Sequence, residues 1–187
     1  RSVLRTALDR LGMPTIIAHA AVPLAVGLGL GPKAIPRRLL VTGVVASMLP
    51  DLDVLAFPLG IAYSDPFSHR GFSHSLFVAM VIAASASLFS GRLGASRFIV
   101  FAFMLISTAS HGLLDMLTNG GLGVAYFWPL TDRRFFFDAR VIQVSPIGYS
   151  FFSAGGLGAL ASELIWVWLP ASVVLVVLLL LRRRSAP

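Results

Sequence analysis

Apolar residues run along this chain in five long stretches, which short polar segments separate. A helix that crosses a bilayer needs about 20 mostly apolar residues, and glycine or proline marks several of the ends. The second stretch is the weakest of the five, because Pro50 and Asp51 follow a short apolar run. The predicted spans are 13–31, 38–52, 73–90, 97–117 and 160–181.

Two of the segments outside these spans have a distinctive composition. Residues 1–12 place leucines among charged residues, which predicts an amphipathic surface helix rather than a cleavable signal peptide. Residues 118–159 are rich in aromatic side chains and contain several arginines, which is typical of an interfacial loop region. Since no stretch has a soluble composition, residues 1–187 are expected to form a single all-α domain, a polytopic membrane helical bundle of about five spans.

Composition supports an integral membrane protein: 57% of the residues are hydrophobic and only 12% are charged. The formal charge of +7 does not indicate nucleic-acid binding, because the basic residues are scattered or lie at the ends of apolar runs, where they act as topology signals and headgroup contacts. The chain has no cysteine. Any metal ion must therefore have nitrogen and oxygen ligands.

Four histidines and three aspartates of the chain lie in short polar islands between or at the ends of the apolar runs. An ionisable group beside hydrocarbon costs several kcal/mol unless it pairs, binds metal or lines a cavity, so such groups are read as functional by default. The islands contain His19; Asp51 and Asp53; His69, Arg70 and His74; and His111 with Asp115.

Alternation of the five spans across the membrane puts all four islands on one face. All eight acidic residues fall on that face as well, whereas the opposite face carries arginines and a lysine without any acid. The positive-inside tendency makes that opposite face cytoplasmic. The site is therefore predicted on the periplasmic face of a bacterial inner membrane, at one end of the bundle.

The side chains of these islands suit a divalent cation. His111 and Asp115 are four residues apart on a predicted helix and can reach one ion, although a buried histidine bonded to an aspartate is also a common structural pair. Ser73 is a candidate N-cap for the third span. One or two ions are expected, with Zn favoured and Mn or Mg as alternatives. The candidate ligands are His19, Asp51, Asp53, His69, His74, His111 and Asp115.

The same islands offer groups for catalysis. Asp53 and His69 are the candidate acid and base groups, and Arg70 can grip a phosphate or stabilise its developing charge. Arg133 and Arg134 fit anionic headgroups and are candidate substrate contacts. Ser-based catalysis is disfavoured, because no G-x-S-x-G elbow precedes a helix.

In combination, these motifs resemble the YdjM-like family of inner-membrane metal-dependent hydrolases, which is LexA-regulated in enteric bacteria. The resemblance covers residues 15–138. The family is itself distantly similar to zinc-dependent phospholipase C. It implies a hydrolase that binds metal through the histidines and aspartates above, with Arg70 as a phosphate contact and Thr118 as a further substrate contact. The matching elements are His19, PDLD at 50–53, HRGFSHS at 69–75, HGLLDMLTNGG at 111–121 and FWPLTDRRF at 127–135.

The leading hypothesis is a membrane-bound metal-dependent hydrolase that uses metal-activated water to cleave a phosphoester in a membrane lipid or lipid-linked substrate. The alternative is a non-catalytic metal-binding protein, or a structural or stress-response membrane protein. Ion transport is disfavoured because the middles of the spans offer no polar path. The sequence leaves the oligomeric state open.

Overall fold

The computed structural model describes residues 15–145 and 151–184, and the predicted surface helix over residues 1–12 lies outside them. The described chain is helical, with isolated β-bridges at Thr118–Ile142 and Val124–Phe135. The helices are α1 (Ala21–Leu30), α2 (Arg37–Met48), α3 (Leu76–Ser87), α4 (Ser90–Leu93), α5 (Arg97–Met116), α6 (Ala154–Glu163) and α7 (Leu169–Arg184). Short turns of other helix types extend several of them: the 3-10 turns Ala18–Ala20, Leu49–Ala56 and Phe72–His74 and the π-helical turn Leu164–Trp168.

The prediction of a helical membrane bundle is confirmed. Three continuous helices are long and apolar enough to cross a membrane, and two shorter apolar helices occupy the other predicted spans. The long ones are Arg37–Ala56, Arg97–Met116 and Ala154–Arg184, and the shorter ones are Ala18–Leu30 and Leu76–Ser87.

Two of the spans extend well beyond their predicted boundaries. The second span continues to Ala56 because Pro50, near the start of a 3-10 turn, does not end the helical path. The last helix begins at Ala154 rather than 160, although its first turns are rich in glycine. A Cβ at Gly158 would lie 2.8 Å from Gln143 Oε1, so the glycine lets this helix approach the preceding segment closely.

Helix α5 lies at the centre of the bundle and packs against α2 and α3, while α1 packs along α7. The main apolar core includes Leu39, Ala83, Val100 and Phe103. Gly43 allows α2 to approach α5, since a Cβ there would lie 2.4 Å from the Phe103 ring. Close packing of these helices holds their polar ends together on one side of the core.

Candidate metal centre

Four side chains from three parts of the chain meet at one end of the bundle. Asp51 comes from the 3-10 turn after α2, His74 from the turn before α3, and His111 and Asp115 from adjacent turns of α5. All four are buried, and each offers a ligand atom within 4.8 Å of the others. We call these four residues the central cluster.

The distances within the central cluster match those between ligands of one ion. The two Nε2 atoms of His74 and His111 are 3.0 Å apart. His111 Nε2 lies 3.4 Å from Asp51 Oδ1, and His74 Nε2 lies 3.2 Å from Asp115 Oδ2. Ligands bound tetrahedrally to zinc at 2.0–2.1 Å are about 3.3 Å apart. Two imidazoles and two carboxylates also form a donor set that neutralises a divalent ion.

Unsatisfied polar atoms concentrate around the same point. Both carboxylate oxygens of Asp51 and of Asp115, and both ring nitrogens of His19, are buried without a hydrogen-bond partner. Most buried polar atoms in proteins have a partner. His111 Nδ1 donates to the Ser47 carbonyl at 2.7 Å, which turns the Nε2 lone pair toward the cluster, as in many metal-bound histidines. The residues present therefore fit a divalent cation.

Asp53 organises the side chains next to the central cluster. Its Oδ1 lies 2.6 Å from His69 Nδ1 and its Oδ2 lies 3.0 Å from His74 Nδ1. It also accepts a hydrogen bond from the Ser73 hydroxyl. These contacts orient both imidazoles, and Asp53, His69 and His74 also form a second group with ligand atoms close enough for an ion. Burial lowers the pKa of His69, although the hydrogen bond to Asp53 opposes this shift.

His19 lies directly against the central cluster. Its ring stacks on His111 with the centroids 3.6 Å apart. Its Nε2 lies 3.7 Å from Asp115 Oδ1 and 3.8 Å from Asp51 Oδ2. His19 is thus close enough to serve as a further ligand.

Arg70 is buried beside Asp115. Its Nε lies 3.2 Å from Asp115 Oδ2, and its Nη1 donates to Thr118 Oγ1 and to the Gly120 carbonyl. Nη2 has no hydrogen-bond partner. The backbone of Arg70 is left-handed, with φ of 61°, and the next residue is Gly71, where a Cβ would lie 2.0 Å from the Pro66 carbonyl oxygen. This tight turn directs the guanidinium inward.

Comparison with known proteins agrees with this architecture. The sequence profile of the family described as "YdjM inner membrane protein" matches residues 13–186. The chain belongs to this family. Over 166 residues, 87% of this chain and 95% of the relative, it is 48% identical to "Inner membrane protein YbcI" of Escherichia coli (strain K12). No solved structure shows significant similarity to it. Membership of the YdjM family, inferred from the motifs, is confirmed, and so is an inner-membrane location.

In this member of the YdjM family, all seven predicted metal ligands and Arg70 lie together. Thr118 lies there too, but its buried hydroxyl donates to the Asp115 carbonyl and accepts from Arg70, so its position does not support direct substrate contact. Arg134 donates to the backbone carbonyls of Tyr63, Asp65 and His69 and fixes that loop.

Arg133 does not join the cluster. Its side chain is exposed, and its backbone N–H donates to Thr131 Oγ1. Arg134 is therefore used in hydrogen bonds within the protein, whereas Arg133 is exposed outside the cluster, and its contact with a substrate stays a prediction.

Some residues of the site could not be found from residue type. Ser47 contributes only its backbone carbonyl, for which no side-chain signal exists. The N-cap of α3 is Ser75, whose Oγ accepts from the Val78 N–H at 3.1 Å, rather than Ser73. Ser73 instead donates to Asp53. The SHS pattern contains two candidate caps, and only the point where α3 begins decides between them.

Gly112 allows the turn carrying His74 to lie against α5. A Cβ there would lie 2.6 Å from the His74 carbonyl oxygen and 2.9 Å from the Tyr126 ring. We expect Gly112→Ala to displace this turn, to destabilise the protein by about 1–3 kcal/mol and to weaken metal binding. Thermal unfolding and zinc titration in detergent check this. Gly91→Ala is the control, since nothing lies within 4 Å of its Cβ position; equal effects of the two variants would contradict the prediction.

Proposed function

We propose that this protein is a membrane-bound metal-dependent hydrolase that cleaves a phosphoester in a lipid or lipid-linked substrate. The observation that carries the proposal is the central cluster, whose buried carboxylate oxygens have no hydrogen-bond partner. Asp51, His74, His111 and Asp115 would hold the ion, with zinc favoured and manganese or magnesium as alternatives. Such an ion supplies Lewis acidity and lowers the pKa of water.

The hydrogen bonds of Asp53 suit His69 to proton transfer. Because His69 Nδ1 is bonded to Asp53, its Nε2 is left without a partner and can take up or release a proton. Asp53 orients the ring, as an aspartate does in a catalytic triad. His74 is oriented by the same carboxylate, and its Nε2 faces the central cluster.

Arg70 is suited to stabilise negative charge on a phosphate. Its Nη1 bonds and its contact with Asp115 hold the guanidinium in place, while the Nη2 hydrogens have no partner. A fixed donor aimed at developing charge stabilises a transition state more than a mobile one does.

An apolar groove lined mainly by residues of α5 favours a substrate with a hydrocarbon chain. The groove has a volume of about 550 Å³, and Val22, Ile106, Leu114 and Phe137 are among its lining residues. The hydroxyl of Ser110, which also lines it, donates to the Ser107 carbonyl within the helix. The groove thus suits hydrocarbon, and it lies beside the helix that carries two residues of the central cluster.

The distribution of arginines supports a periplasmic position for the site. Arg38 and Arg92 lie at the end of the bundle opposite to the central cluster, where Arg38 donates to the Arg92 carbonyl. Arg182 lies at that end as well, where it donates to the carbonyls of Leu28 and Gly29. Basic residues concentrate on the cytoplasmic side of membrane proteins, so we place the central cluster on the other side.

Chelation tests the hydrolase proposal directly. Purified protein in mixed micelles should hydrolyse at least one member of a panel of phosphate-containing lipids. EDTA should abolish that turnover, and Zn²⁺ or Mn²⁺ should restore it. Phosphate release and lipid analysis measure the reaction. Turnover that is indifferent both to EDTA and to His111→Ala would refute the proposal.

The burial of the site favours a second candidate, a metal centre that only stabilises the bundle. All four residues of the central cluster are buried, and structural metal sites are closed in this way. This candidate predicts tightly bound metal and a chelator-sensitive unfolding temperature, without turnover of any lipid phosphate. Metal analysis together with the lipid panel separates the two functions.

A further inference from the structure

A buried carboxylate outside the metal centre is anchored to the segment that leads to His19. Glu163 ends α6 inside the span Ala154–Arg184, and only 1% of the residue is exposed. Its Oε2 accepts a hydrogen bond from the Thr15 hydroxyl at 2.6 Å, and its Oε1 accepts one from the Thr15 backbone N–H. An ionisable residue within a spanning helix is costly, which favours a specific role.

Thr15 connects this carboxylate to the turn that carries His19. The Thr15 carbonyl accepts a hydrogen bond from the Ala18 N–H at 2.9 Å, at the start of the 3-10 turn Ala18–Ala20. His19 is the middle residue of that turn. Glu163 thus fixes the backbone immediately before His19.

His19 needs such an anchor more than the other histidines do. Neither of its ring nitrogens has a hydrogen-bond partner, whereas His111 is oriented by the Ser47 carbonyl and His74 by Asp53. Metal-bound histidines are commonly oriented through the nitrogen that does not face the metal. For His19, ring stacking on His111 and the anchored backbone must supply this orientation.

The helix around Glu163 has an unusual local structure. The π-helical turn Leu164–Trp168 begins at the next residue. Single π-helical turns occur frequently at functional sites. On the N-terminal side, the Ser162 hydroxyl accepts a hydrogen bond from the Gln143 N–H at 2.9 Å. The residue directly before Glu163 is therefore hydrogen-bonded to the segment that precedes α6.

We propose that Glu163 is a positioning residue for the metal centre and acts through Thr15 on His19. The inference rests on the proposed metal site. It assigns a role to the C-terminal helix, which carries none of the predicted ligands. The inference also requires that His19 contributes to metal binding, so that displacement of its turn weakens the binding.

A double-mutant cycle on the full chain tests this role. Zinc affinity is measured in detergent by competition with a chromophoric chelator. We expect Glu163→Ala to weaken zinc binding by about tenfold, within the range for residues that orient metal ligands. Glu163→Gln should restore most of the affinity, because its amide oxygen still accepts one hydrogen bond from Thr15. In a His19→Ala background, Glu163→Ala should cause no more than about a twofold further change.

The outcomes separate this inference from the proposed function. Leu164→Ala, at an exposed neighbouring position, is the control and should bind zinc like the wild type. If the effects of Glu163→Ala and His19→Ala are independent, Glu163 does not act through His19 and the inference is overturned. If the wild-type protein binds no zinc, manganese or magnesium, the metal centre itself is refuted. Should Glu163→Ala fail to fold, the same cycle is run with Thr15→Val, which removes the hydroxyl donor to Glu163. Effects of Thr15→Val and His19→Ala that are independent of each other then overturn the inference, and effects that are not independent support it.

Discussion

Replacing His111 with alanine is expected to reduce the tightly bound zinc of the purified protein from about one equivalent to less than about a tenth. His111 Nε2 is 3.0 Å from His74 Nε2 and 3.4 Å from Asp51 Oδ1, so the variant loses a donor at the middle of the cluster. The remaining carboxylates would then repel each other without a fully bound cation between them. Metal analysis after dialysis measures the loss.

The same variant should lose its response to chelator. A ligand that binds only the folded state stabilises it, by about 4 kcal/mol at a thousand times its Kd. EDTA should therefore lower the unfolding temperature of the wild-type protein and leave that of His111→Ala nearly unchanged. Ser110→Ala is the matched control, because this neighbour on α5 bonds only within its own helix. Retention of wild-type zinc affinity by His111→Ala would contradict the proposed centre.

Much of this site follows from chain order and local spacing. His111 and Asp115 share one side of α5 because residues four apart on a helix are neighbours. Alternation of spans places the ends of α2 and α5 and the start of α3 on one side of a membrane, whatever the exact boundaries are. For that reason the prediction that the histidines meet at one end of the bundle is confirmed, although the second and fifth spans begin or end elsewhere than expected.

The different contacts of the Asp51 and Asp53 carboxylates could not be predicted from chain order and local spacing. In a 3-10 turn, residues two apart point about 120° away from each other. Asp51 therefore faces His111, while Asp53 faces His69 and Ser73. The sequence shows two equivalent carboxylates, and the type of turn, which depends on tertiary packing, makes them different.

The same limit applies to the arginines. Arg70 and Arg134 both lie in loops. Neither spacing nor composition shows which carbonyls or carboxylates their guanidinium groups contact. The contact between Arg70 and Asp115 joins residues 45 positions apart, and Arg134 bonds to carbonyls 65 to 71 positions away. Such partners are fixed only by the packed fold.

Removing the Arg70 guanidinium should destabilise the metal-free protein by about 3–5 kcal/mol, because Asp115 would remain buried without its main counter-charge. Arg70 Nε lies 3.2 Å from Asp115 Oδ2, and both side chains are fully buried. The left-handed backbone at position 70 does not contribute to the difference in stability between wild type and Arg70→Ala, because arginine and alanine both carry a Cβ. We expect Arg70→Ala to show this loss in chemical unfolding with EDTA present.

A saturating divalent cation should offset part of that loss, because it supplies positive charge to the same carboxylate. The difference between Arg70→Ala and wild type should therefore be smaller with Zn²⁺ than with EDTA. Arg133→Ala is the control: its side chain is exposed, and the change should stay within about 0.5 kcal/mol in either condition. If Arg70→Ala is no more destabilised than Arg133→Ala, Asp115 is not held by Arg70. If the loss with Zn²⁺ equals the loss with EDTA, Arg70 and the cation do not share Asp115, and the placement of the ion in the central cluster is wrong.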